Sequence, residues 1–449
     1  MKLCAPAKQL FRTEKVDFIE LDHGSHKIVY QQGRVRYVDV DWKSAALPLG
    51  DVYCGRLETL NLDRAKTPGL DDRKRVNISN MDPFTIVESR EFSRRSKLKF
   101  QADRSIIVSY HNFEETPNLE AILKILQMTH PKAHFYKIAT MANSTLDSLR
   151  MLEFLQRHPG IIGLCMGTFG AITRILAPIF QVPIVYAPLS EEGKNASGQL
   201  LVDQLCEIYH FRRLNPETKI YGLIGDPVFQ SIGHLFHNEE FRKSGKNAVY
   251  LKMVVKPNEL SEFFRLAKKL PFAGLSVTAP LKEAVLPFID VLDPEAAAIG
   301  AVNTLTLNNG KVEGCNTDGN AAMDILGDVK DRSIVVLGAG GASKAILYTG
   351  LKRGAHVTVV NRTPAKARAL ASLMGCQWSE KIPAYDILIN ATSASMPIKK
   401  EEIQAGKWVM DVALYPSEFL RIAQEKKCTC LDGFHIYFQQ ALAQQKKWG

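Results

Sequence analysis

The stretch that most constrains the fold of this chain lies between residues 333 and 363. An apolar run that begins at Ser333 opens into the glycine-rich turn Gly338-Ala-Gly-Gly-Ala-Ser343, and a helical segment and the β-rich run His356–Val360 follow. This order is typical of a βαβ unit in a parallel sheet. Free backbone N–H groups in the turn and the positive end of the helix suit a pyrophosphate. The sequence therefore predicts a Rossmann-like lobe that binds a dinucleotide.

The residues after the second strand of this unit indicate which dinucleotide binds. Asn361 and Arg362 stand where an NAD-binding protein usually carries an Asp or Glu for the ribose hydroxyls. A guanidinium in that place can pair with a 2′-phosphate instead. We therefore expect NADP as the cofactor, in preference to NAD.

Length and composition indicate a multidomain globular protein. The 449 residues exceed what one ordinary core holds, and 46% hydrophobic with 23% charged residues is typical of a soluble protein. The apolar segment 161–189 is interrupted by Arg174, Pro178 and Pro183, so we expect no membrane span. The first residues lack the apolar core of a signal peptide, which predicts a cytoplasmic location.

Charge and cysteine usage bear on the partners. The net charge is +10, but the basic residues are dispersed and do not interleave with aromatic residues. This distribution favours small anionic substrates and argues against a nucleic acid partner. The eight cysteines are scattered, and Cys428 and Cys430 are too close for a CxxC pattern, so we expect reduced thiols and no metal site. None of these patterns specifies an oligomeric state.

A polar segment with a proline, residues 211–219, separates two differently patterned halves. The predicted ranges are 1–212 for a first domain, 216–449 for a second, and, within the second, about 216–320 plus a C-terminal helix over 433–449 for a substrate lobe and about 325–425 for the NADP lobe. A hairpin that turns at Asn309-Gly310 belongs to the substrate lobe. We expect the substrate to lie between the two lobes of the second domain.

Three polar residues of the second half follow apolar runs, where side chains point into a cleft. They are Lys282, Asn303 and Asp318. A lysine and an aspartate that face each other can exchange the proton of a carbinol oxygen while a hydride moves on the other side. This pattern predicts a carbonyl reductase, although each residue alone is more often a surface lysine or a turn aspartate.

The second half resembles shikimate dehydrogenase over residues 218–448. The matching strings are Gly225-Asp-Pro-Val-Phe-Gln-Ser231, Ser276-Val-Thr-Ala-Pro-Leu-Lys282, Gly300-Ala-Val-Asn-Thr304, Asn316-Thr-Asp318, Asn361-Arg-Thr363, Asn390-Ala-Thr392 and Gln440-Ala441. The resemblance implies Lys282 and Asp318 as the catalytic pair. It implies that 3-dehydroshikimate is held by Ser231, Thr278, Asn303, Tyr415 and Gln440. It implies that NADP is held by Gly338, Gly340, Gly341, Ala342, Asn361, Arg362 and Thr363.

Two positions depart from the pattern of this family. Gly233 replaces the second serine of a Ser-x-Ser carboxylate grip that begins at Ser231, and Ser395 stands where a glycine usually precedes the methionine of a loop. Loss of one hydrogen bond to a carboxylate weakens binding by about 1.5 to 3 kcal/mol unless another donor substitutes. His234 is the candidate substitute, and we expect catalysis to survive the change.

The first half contains two strand-like segments that each place an ionisable residue among apolar neighbours. These residues are His111 and Lys137. A lysine that loses hydration becomes a nucleophile toward ketones, and a nearby histidine can move protons around the resulting imine. From spacing alone, a buried structural histidine and an edge lysine remain the alternative.

Residues 105–205 resemble type I 3-dehydroquinate dehydratase, a (β/α)8 barrel, through His111, Lys137, Met166-Gly-Thr-Phe-Gly-Ala-Ile-Thr-Arg174 and Ala196-Ser-Gly-Gln199. The resemblance implies that Lys137 forms an imine with the C3 ketone of dehydroquinate and that His111 is the acid and base. It also implies that Arg174 and Gln199 hold the carboxylate and hydroxyls. The product, 3-dehydroshikimate, is the substrate implied for the second half, and a fusion of the two enzymes is a known arrangement of the shikimate pathway.

The first hundred residues match the dehydratase pattern less closely. Glu20-Leu-Asp22 carries an acid in place of the arginine of the family's Glu-Leu-Arg strand, and the interval to the acidic strand Tyr37-Val-Asp-Val-Asp41 is short. The predicted fold class is therefore α/β, with an N-terminal (β/α)8-type barrel, either complete or incomplete, before a two-lobed dehydrogenase.

Three hypotheses for the whole chain follow. The first is a bifunctional lyase and NADP-dependent oxidoreductase that makes shikimate for aromatic amino acid biosynthesis. The second is a shikimate or quinate dehydrogenase with a non-catalytic N-terminal scaffold. The third is an NADP-binding sensor without turnover, which the presence of both Lys282 and Asp318 disfavours.

Overall fold

The computed structural model describes residues 105–449 except 132, 192, 193, 195, 196 and 415, together with the backbone of six strands between residues 2 and 88. The strands are β1 (Lys2–Pro6), β2 (Phe18–His23), β3 (His26–Gln31), β4 (Arg34–Arg36), β5 (Gly55–Arg56), β6 (Phe84–Glu88), β7 (Ser105–His111), β8 (Phe135–Met141), β9 (Ile162–Met166), β10 (Ile184–Tyr186), β11 (Lys219–Gly225), β12 (Ala248–Val254), β13 (Phe272–Val277), β14 (Val291–Leu292), β15 (Thr304–Asn308), β16 (Lys311–Cys315), β17 (Ser333–Leu337), β18 (His356–Val360), β19 (Gln377–Trp378), β20 (Ile387–Asn390), β21 (Trp408–Asp411) and β22 (Thr429–Leu431).

The α-helices are α1 (Leu119–Thr129), α2 (Thr145–Arg157), α3 (Ala171–Ile175), α4 (Gly233–Ser244), α5 (Leu260–Ala267), α6 (Leu281–Ala284), α7 (Pro294–Ile299), α8 (Asp318–Leu326), α9 (Gly341–Lys352), α10 (Pro364–Met374), α11 (Glu418–Glu425) and α12 (Gly433–Trp448). The chain divides into two compact units. The first comprises residues 1–218 with 242–248, and the second comprises residues 219–241 with 249–449.

The first unit alternates parallel strands with helices. Strands β5 to β9 form one parallel sheet in sequence order, and α1, α2 and α3 follow β7, β8 and β9. Helix α1 illustrates the local cause, because its buried residues Leu119, Ile122, Leu123 and Leu126 recur at helical spacing and Asn118 caps its first turn. The α/β class and the (β/α) alternation are as predicted.

The described strands of the first unit are not joined by hydrogen bonds into one ring. Strand β10 pairs with β1 in a second sheet of order β10-β1-β2-β3-β4, in which β2, β3 and β4 are antiparallel. An antiparallel meander replaces the strand and helix alternation there. This arrangement agrees with the expectation of a barrel that departs from the regular pattern at its beginning.

The second unit opens with a mixed sheet of order β12-β11-β13-β15-β16-β14. Strands β15 and β16 form the predicted hairpin, which turns at Asn309 and Gly310 with φ values of 49° and 76°. Left-handed conformations at both turn residues suit the twist of a two-residue hairpin. Helix α12 returns to this sheet, where the Trp448 indole N–H donates to the Leu305 carbonyl over 3.0 Å.

The last sheet, of order β19-β18-β17-β20-β21-β22, is parallel throughout. Strand β17 lies near its centre and is buried on both faces. Ile334 and Val336 belong to one core cluster, and Val335 and Leu337 belong to the other. A continuous apolar run is expected where both faces of a parallel sheet are covered. The glycine-rich turn follows β17 at the point where the strand order reverses, which is where ligands bind in such sheets.

Candidate active sites

Lys282 and Asp318 form the centre of the site in the second unit. Lys282 lies in the short helix α6 after β13, and Asp318 is the first residue of α8. The Lys282 ammonium donates to Asp318 Oδ2 over 2.5 Å, and the two side chains are 18% and 14% exposed. The pair is therefore largely shielded from water but open to a small ligand.

Asn303 fixes the second oxygen of that carboxylate. Its side-chain amide donates to Asp318 Oδ1 over 2.7 Å and to the Thr317 hydroxyl over 2.9 Å. The Asn303 side-chain oxygen Oδ1 accepts from the Thr317 backbone N–H over 2.9 Å and from the Thr304 hydroxyl over 2.7 Å. Because Asn303 is only 2% exposed, these bonds hold the carboxylate in one orientation toward Lys282.

Gln440 comes to the same cluster from helix α12. Its amide oxygen lies 3.5 Å from Asn303 Nδ2, and its amide nitrogen donates to the Tyr437 carbonyl over 3.1 Å. Sequence reasoning assigned no role to Asn316, which accepts from the Asp318 backbone N–H over 3.0 Å and donates to the Ala301 carbonyl over 2.9 Å. Its place two residues before the aspartate was the available signal.

Ser231 and Thr278 lie in the loops that follow β11 and β13. The Ser231 hydroxyl accepts from the Gly233 backbone N–H over 3.1 Å, and the Thr278 backbone N–H donates to the Ile224 carbonyl over 2.9 Å. Tyr415 lies outside the described residues. The structure thus brings Asn303 and Gln440 to the Lys282–Asp318 pair and leaves the assignment of Tyr415 a prediction.

The departure at Ser395 has a structural explanation. The Ser395 hydroxyl accepts from the Glu418 backbone N–H over 3.0 Å, and its carbonyl accepts from the Phe419 N–H over 2.9 Å. These are donors in the first turn of α11, which have no partner within the helix. Ser395 therefore fastens its loop to the start of α11.

The glycine-rich turn runs beside Lys282. Gly338 has a φ of 112°, and a Cβ there would meet Thr392 Cγ2 at 2.9 Å. A Cβ on Gly341 would lie 3.0 Å from the Lys282 Cβ, whereas one on Gly340 would meet no atom within 4 Å. The turn therefore leaves open space at the amino end of α9, as a bound pyrophosphate requires. Ala342 follows within the first turn of the same helix.

The residues after β18 fit the adenosine phosphate of NADP. Asn361 Nδ2 donates to the Thr363 carbonyl over 3.1 Å, which shapes the turn before α10. The Arg362 side chain is exposed between them and forms no salt bridge with a carboxylate in the described part of the chain. A guanidinium beside the end of the second strand can donate two parallel hydrogen bonds to a phosphate.

His111 and Lys137 share one face of the sheet in the first unit. Ser109 is the register partner of Lys137 across β7 and β8, and residues two apart on a strand point the same way. The Ser109 hydroxyl lies 3.3 Å from His111 Nε2. Sequence reasoning missed Ser109, although its place two residues before His111 was the signal. The strands therefore place a hydroxyl, an imidazole and an amine together.

Tyr186, at the end of β10, connects two of the predicted residues and was also missed. The Lys137 Nζ atom lies 4.5 Å from the centroid of its ring, and Arg174 Nη1 donates to its carbonyl over 3.1 Å. Arg174 is 4% exposed, and burial lowers its pKa to about 10. A buried guanidinium of this kind is costly unless an anion accompanies it. The site is thus suited to a carboxylate substrate.

The loop that carries Gln199 is seated on the end of β9. The Gly167 backbone N–H donates to the Ser197 carbonyl over 3.2 Å. A Cβ on Gly198, which has a φ of 75°, would lie only 2.0 Å from the Gly167 carbonyl oxygen. Only glycine permits this approach. The approach brings Gln199 to the carboxyl end of the parallel strands, where the sites of such folds lie.

Membrane-spanning helices and metal-binding clusters are both absent from the described part of the chain. No helix there combines the length and the apolar character that crossing a bilayer requires. No three side chains of His, Cys, Asp and Glu come together there as a group that could hold a metal ion.

Comparison with protein families gives three matches in chain order. Type I 3-dehydroquinase matches residues 85–216, the shikimate dehydrogenase substrate binding domain matches residues 223–305, and shikimate / quinate 5-dehydrogenase matches residues 320–413. The first match covers His111, Lys137, Arg174 and Gln199, and the other two cover most of the dehydrogenase site.

Relatives that span both halves are found as well. The shikimate biosynthesis protein AroDE of Chlamydia pneumoniae is 35% identical over 76% of this chain and 73% of its own length. The chloroplastic bifunctional 3-dehydroquinate dehydratase/shikimate dehydrogenase of Arabidopsis thaliana is 32% identical over 76% of this chain and 62% of its own length.

The second half has relatives that consist of the dehydrogenase alone. The shikimate dehydrogenase (NADP(+)) of Aquifex aeolicus is 36% identical over 52% of this chain and 93% of its own length. A crystal structure of shikimate dehydrogenase from Aquifex aeolicus superposes with a TM-score of 0.51 at 35% identity, covering 53% of this chain and 94% of that one.

Proposed function

The chain belongs to the family of bifunctional 3-dehydroquinate dehydratase/shikimate dehydrogenases, and from this premise we propose how its residues carry out the two reactions. The first unit dehydrates 3-dehydroquinate to 3-dehydroshikimate. The second unit reduces that product to shikimate with NADP as the cofactor. The observation that carries the proposal is the Lys282–Asp318 pair, held by Asn303 beside the glycine-rich turn.

In the reductase, Lys282 is the proton donor to the substrate. NADPH, when bound by Gly338, Gly340, Gly341, Ala342, Asn361, Arg362 and Thr363, supplies the hydride to the carbonyl carbon. The Lys282 ammonium gives its proton to the carbonyl oxygen, which becomes the hydroxyl of shikimate. Asp318 orients that ammonium over 2.5 Å and, after the transfer, relays to the amine a replacement proton taken up from water.

The remaining residues of the reductase position the ring. The hydroxyls and carboxylate of 3-dehydroshikimate are held by Ser231, Thr278, Tyr415 and Gln440. Asn303 contributes indirectly, because it fixes the Asp318 carboxylate. Polar groups placed to match each hydroxyl give strong discrimination, because a substrate that lacks one leaves a buried donor or acceptor unpaired. We propose NADP over NAD because Arg362 is exposed and can meet the 2′-phosphate.

In the dehydratase, Lys137 is the nucleophile. Its neutral amine attacks the C3 ketone of 3-dehydroquinate, and loss of water from the adduct gives an imine. The imine draws electrons from the adjacent C2, so His111 can remove a proton there. The electron pair left at C2 then expels the C1 hydroxyl, to which His111 returns the proton, and water releases 3-dehydroshikimate from Lys137.

The other residues of this site account for selectivity. Arg174 pairs with the substrate carboxylate and Gln199 with its hydroxyls, while Ser109 keeps the His111 ring in place. The Tyr186 ring lies against Lys137 and shields it from water on that side. Lys137 thus forms the covalent bond to the substrate, and His111 transfers the protons.

Borohydride trapping tests the dehydratase mechanism. The chain is incubated with 3-dehydroquinate and sodium borohydride, digested and analysed by mass spectrometry. We expect the reduced adduct on the peptide that contains Lys137, and none on a Lys137→Ala variant treated in the same way. If no lysine is labelled, the imine mechanism is wrong; if in addition 3-dehydroquinate gives no 3-dehydroshikimate while the chain still reduces added 3-dehydroshikimate, the first unit is a non-catalytic scaffold.

A further inference from the structure

The space around Gly233 is enclosed by two hydroxyl groups. A Cβ built on Gly233 would lie 3.2 Å from the Ser231 Oγ, 3.3 Å from the Tyr437 Oη and 3.1 Å from Tyr250 Cε1. Both hydroxyls therefore face the same small volume at the start of α4. A larger side chain at position 233 would enter the volume that these hydroxyls line.

The Tyr437 hydroxyl has no hydrogen-bond partner among the described residues and is inaccessible to water. Burial raises the pKa of Tyr437 well above its ordinary value, so the group keeps its proton and can donate it in a hydrogen bond. Buried hydroxyls are normally satisfied, and one that is not is a costly feature to retain. A ligand that accepts a hydrogen bond removes that cost.

The position of Tyr437 connects this hydroxyl to the reacting pair. Tyr437 lies one helical turn before Gln440 on α12, and the Gln440 amide donates to its carbonyl over 3.1 Å. Gln440 in turn lies beside Asn303, which bonds Asp318. The Phe236 ring packs edge-on against the Tyr437 ring at 6.0 Å, which holds the phenol in place.

The charges near Gly233 favour an anionic acceptor. The Lys252 ammonium donates to the carbonyls of Phe229 and Ser231 over 3.1 and 3.3 Å, so a positive charge lies directly behind the loop that carries Ser231. His234, the substitute donor suggested by the sequence, has its pKa lowered to about 4, mainly by burial and also by Lys252. It is therefore neutral near pH 7 and adds no charge.

We propose that the Tyr437 hydroxyl binds the carboxylate of the reductase substrate together with Ser231, in the place of the hydroxyl that Gly233 lacks. The residues at positions 233 and 437 depend on each other, because the absence of a side chain on Gly233 provides the space that the Tyr437 phenol occupies. The proposal rests on the reductase function of the second unit. It makes Tyr437 a substrate-binding residue that determines selectivity for a ring carboxylate.

The first test is the steady-state kinetics of a Tyr437→Phe variant with shikimate and NADP. We expect the KM for shikimate to rise about 10- to 100-fold, the factor for one hydrogen bond to a charged group, with kcat and the KM for NADP within about twofold of the parent. Tyr348→Phe in helix α9, which removes a phenol hydroxyl elsewhere in the same unit, is the matched control and should leave all three constants unchanged.

Three further measurements separate ligand binding from a structural role. The melting temperature of the unliganded Tyr437→Phe variant should equal or exceed that of the parent, because the lost hydroxyl has no hydrogen-bond partner among the residues that the structure describes. Adding Gly233→Ser to this variant should recover part of the shikimate KM, since the new hydroxyl enters the space left by the phenol oxygen. With the methyl ester of shikimate, parent and Tyr437→Phe should differ much less than with shikimate.

The possible failures are distinct. If the parent reduces no NADP with shikimate, the reductase function itself is wrong. If the parent is active but Tyr437→Phe keeps the parental KM for shikimate, the role of Tyr437 is wrong. A raised KM accompanied by a lower melting temperature and equal sensitivity to the methyl ester would show a structural role and would also overturn the proposal.

Discussion

The two lysines proposed for catalysis contact different groups, and the difference matches the chemistry proposed for each. Lys282 faces a carboxylate at 2.5 Å, which can pass a proton to it, whereas Lys137 lies 4.5 Å from the centroid of an aromatic ring. A lysine that relays protons needs an acid or base beside it in every turnover. A lysine that forms a covalent bond needs a side that the ketone can reach. Another residue, here His111, can then transfer the protons.

The two sites also differ in how they are assembled. In the reductase, Lys282 and Asn303 come from two separate segments and both donate hydrogen bonds directly to the Asp318 carboxylate. In the dehydratase, the geometry depends on strand register. The pairing of β7 with β8 places Lys137 on the same face of the sheet as His111, and Tyr186 comes from β10. We therefore expect each activity to be removed without loss of the other.

The largest expected effect is that of Lys137→Ala. Removing the nucleophile eliminates the imine, so the dehydratase kcat should fall on the order of 10⁴- to 10⁶-fold, as when one member of a catalytic unit is deleted. The reduction of 3-dehydroshikimate should stay at the parental rate. Separate assays of the two reactions on the same preparation check both statements, and a dehydratase that survives would show that the two lysines have been assigned wrongly.

Lys282→Gln should produce the reverse pattern. The amide keeps a polar group near Asp318 but cannot give a proton to the carbonyl oxygen, so the reductase kcat should fall about 10²- to 10⁴-fold. Dehydration of 3-dehydroquinate should be unaffected. The contrast breaks down if Lys282→Gln alters only the KM for shikimate, since that result would assign Lys282 to binding.

Arg362→Ser should affect only the binding of the cofactor in the reductase. Loss of charge-assisted hydrogen bonds to the 2′-phosphate should raise the KM for NADPH about 10- to 100-fold and leave the KM for NADH nearly unchanged. Lys366→Ser, which removes another positive charge from the following helix, serves as the control for general electrostatics. Equal KM changes for NADPH and NADH in Arg362→Ser would refute a contact with the phosphate.

The smallest expected effect concerns acid stability of the second unit. His237 is 1% exposed, its ring stacks on Tyr250 at 4.3 Å, and burial lowers its pKa to about 3. Between about pH 6.5 and pH 3, His237 is therefore protonated in the unfolded state but not in the folded state. The free energy of unfolding falls as the pH falls through this range. The free energy of unfolding should drop by about 1.4 kcal/mol per pH unit from this residue.

His237→Gln should flatten that dependence. Urea unfolding between pH 7 and pH 5, followed by tryptophan fluorescence, gives the slope for parent and variant, because Trp448 lies 5.3 Å from the His237 ring. A parental slope that the substitution leaves unchanged would place the acid sensitivity elsewhere.

Sequence reasoning reached the parts of both sites that follow from local patterns. The glycine-rich βαβ unit, the hairpin at Asn309-Gly310 and the α/β class are confirmed, since strand, turn and helix signals are local. The meeting of Lys282 with Asp318 was anticipated because each follows an apolar run of the same lobe. Their catalytic roles remain predictions.

The features that sequence reasoning missed depend on contacts between distant segments. The Tyr186 ring meets Lys137 only through the placement of β10, and the Tyr437 hydroxyl meets Gly233 only because α12 returns to the first sheet of the second unit. Neither contact leaves a periodic signal. The second sheet of the first unit was likewise unpredictable, because β2, β3 and β4 pair antiparallel where alternating helices were expected.

A coupled assay tests whether this one chain carries out both reactions. The chain is supplied with 3-dehydroquinate and NADPH, and NADPH oxidation is followed while the product is identified by mass spectrometry. We expect one shikimate formed for each NADPH oxidised, with 3-dehydroshikimate as the only intermediate. Rapid reduction of added 3-dehydroshikimate with no NADPH oxidised when 3-dehydroquinate is supplied would contradict it.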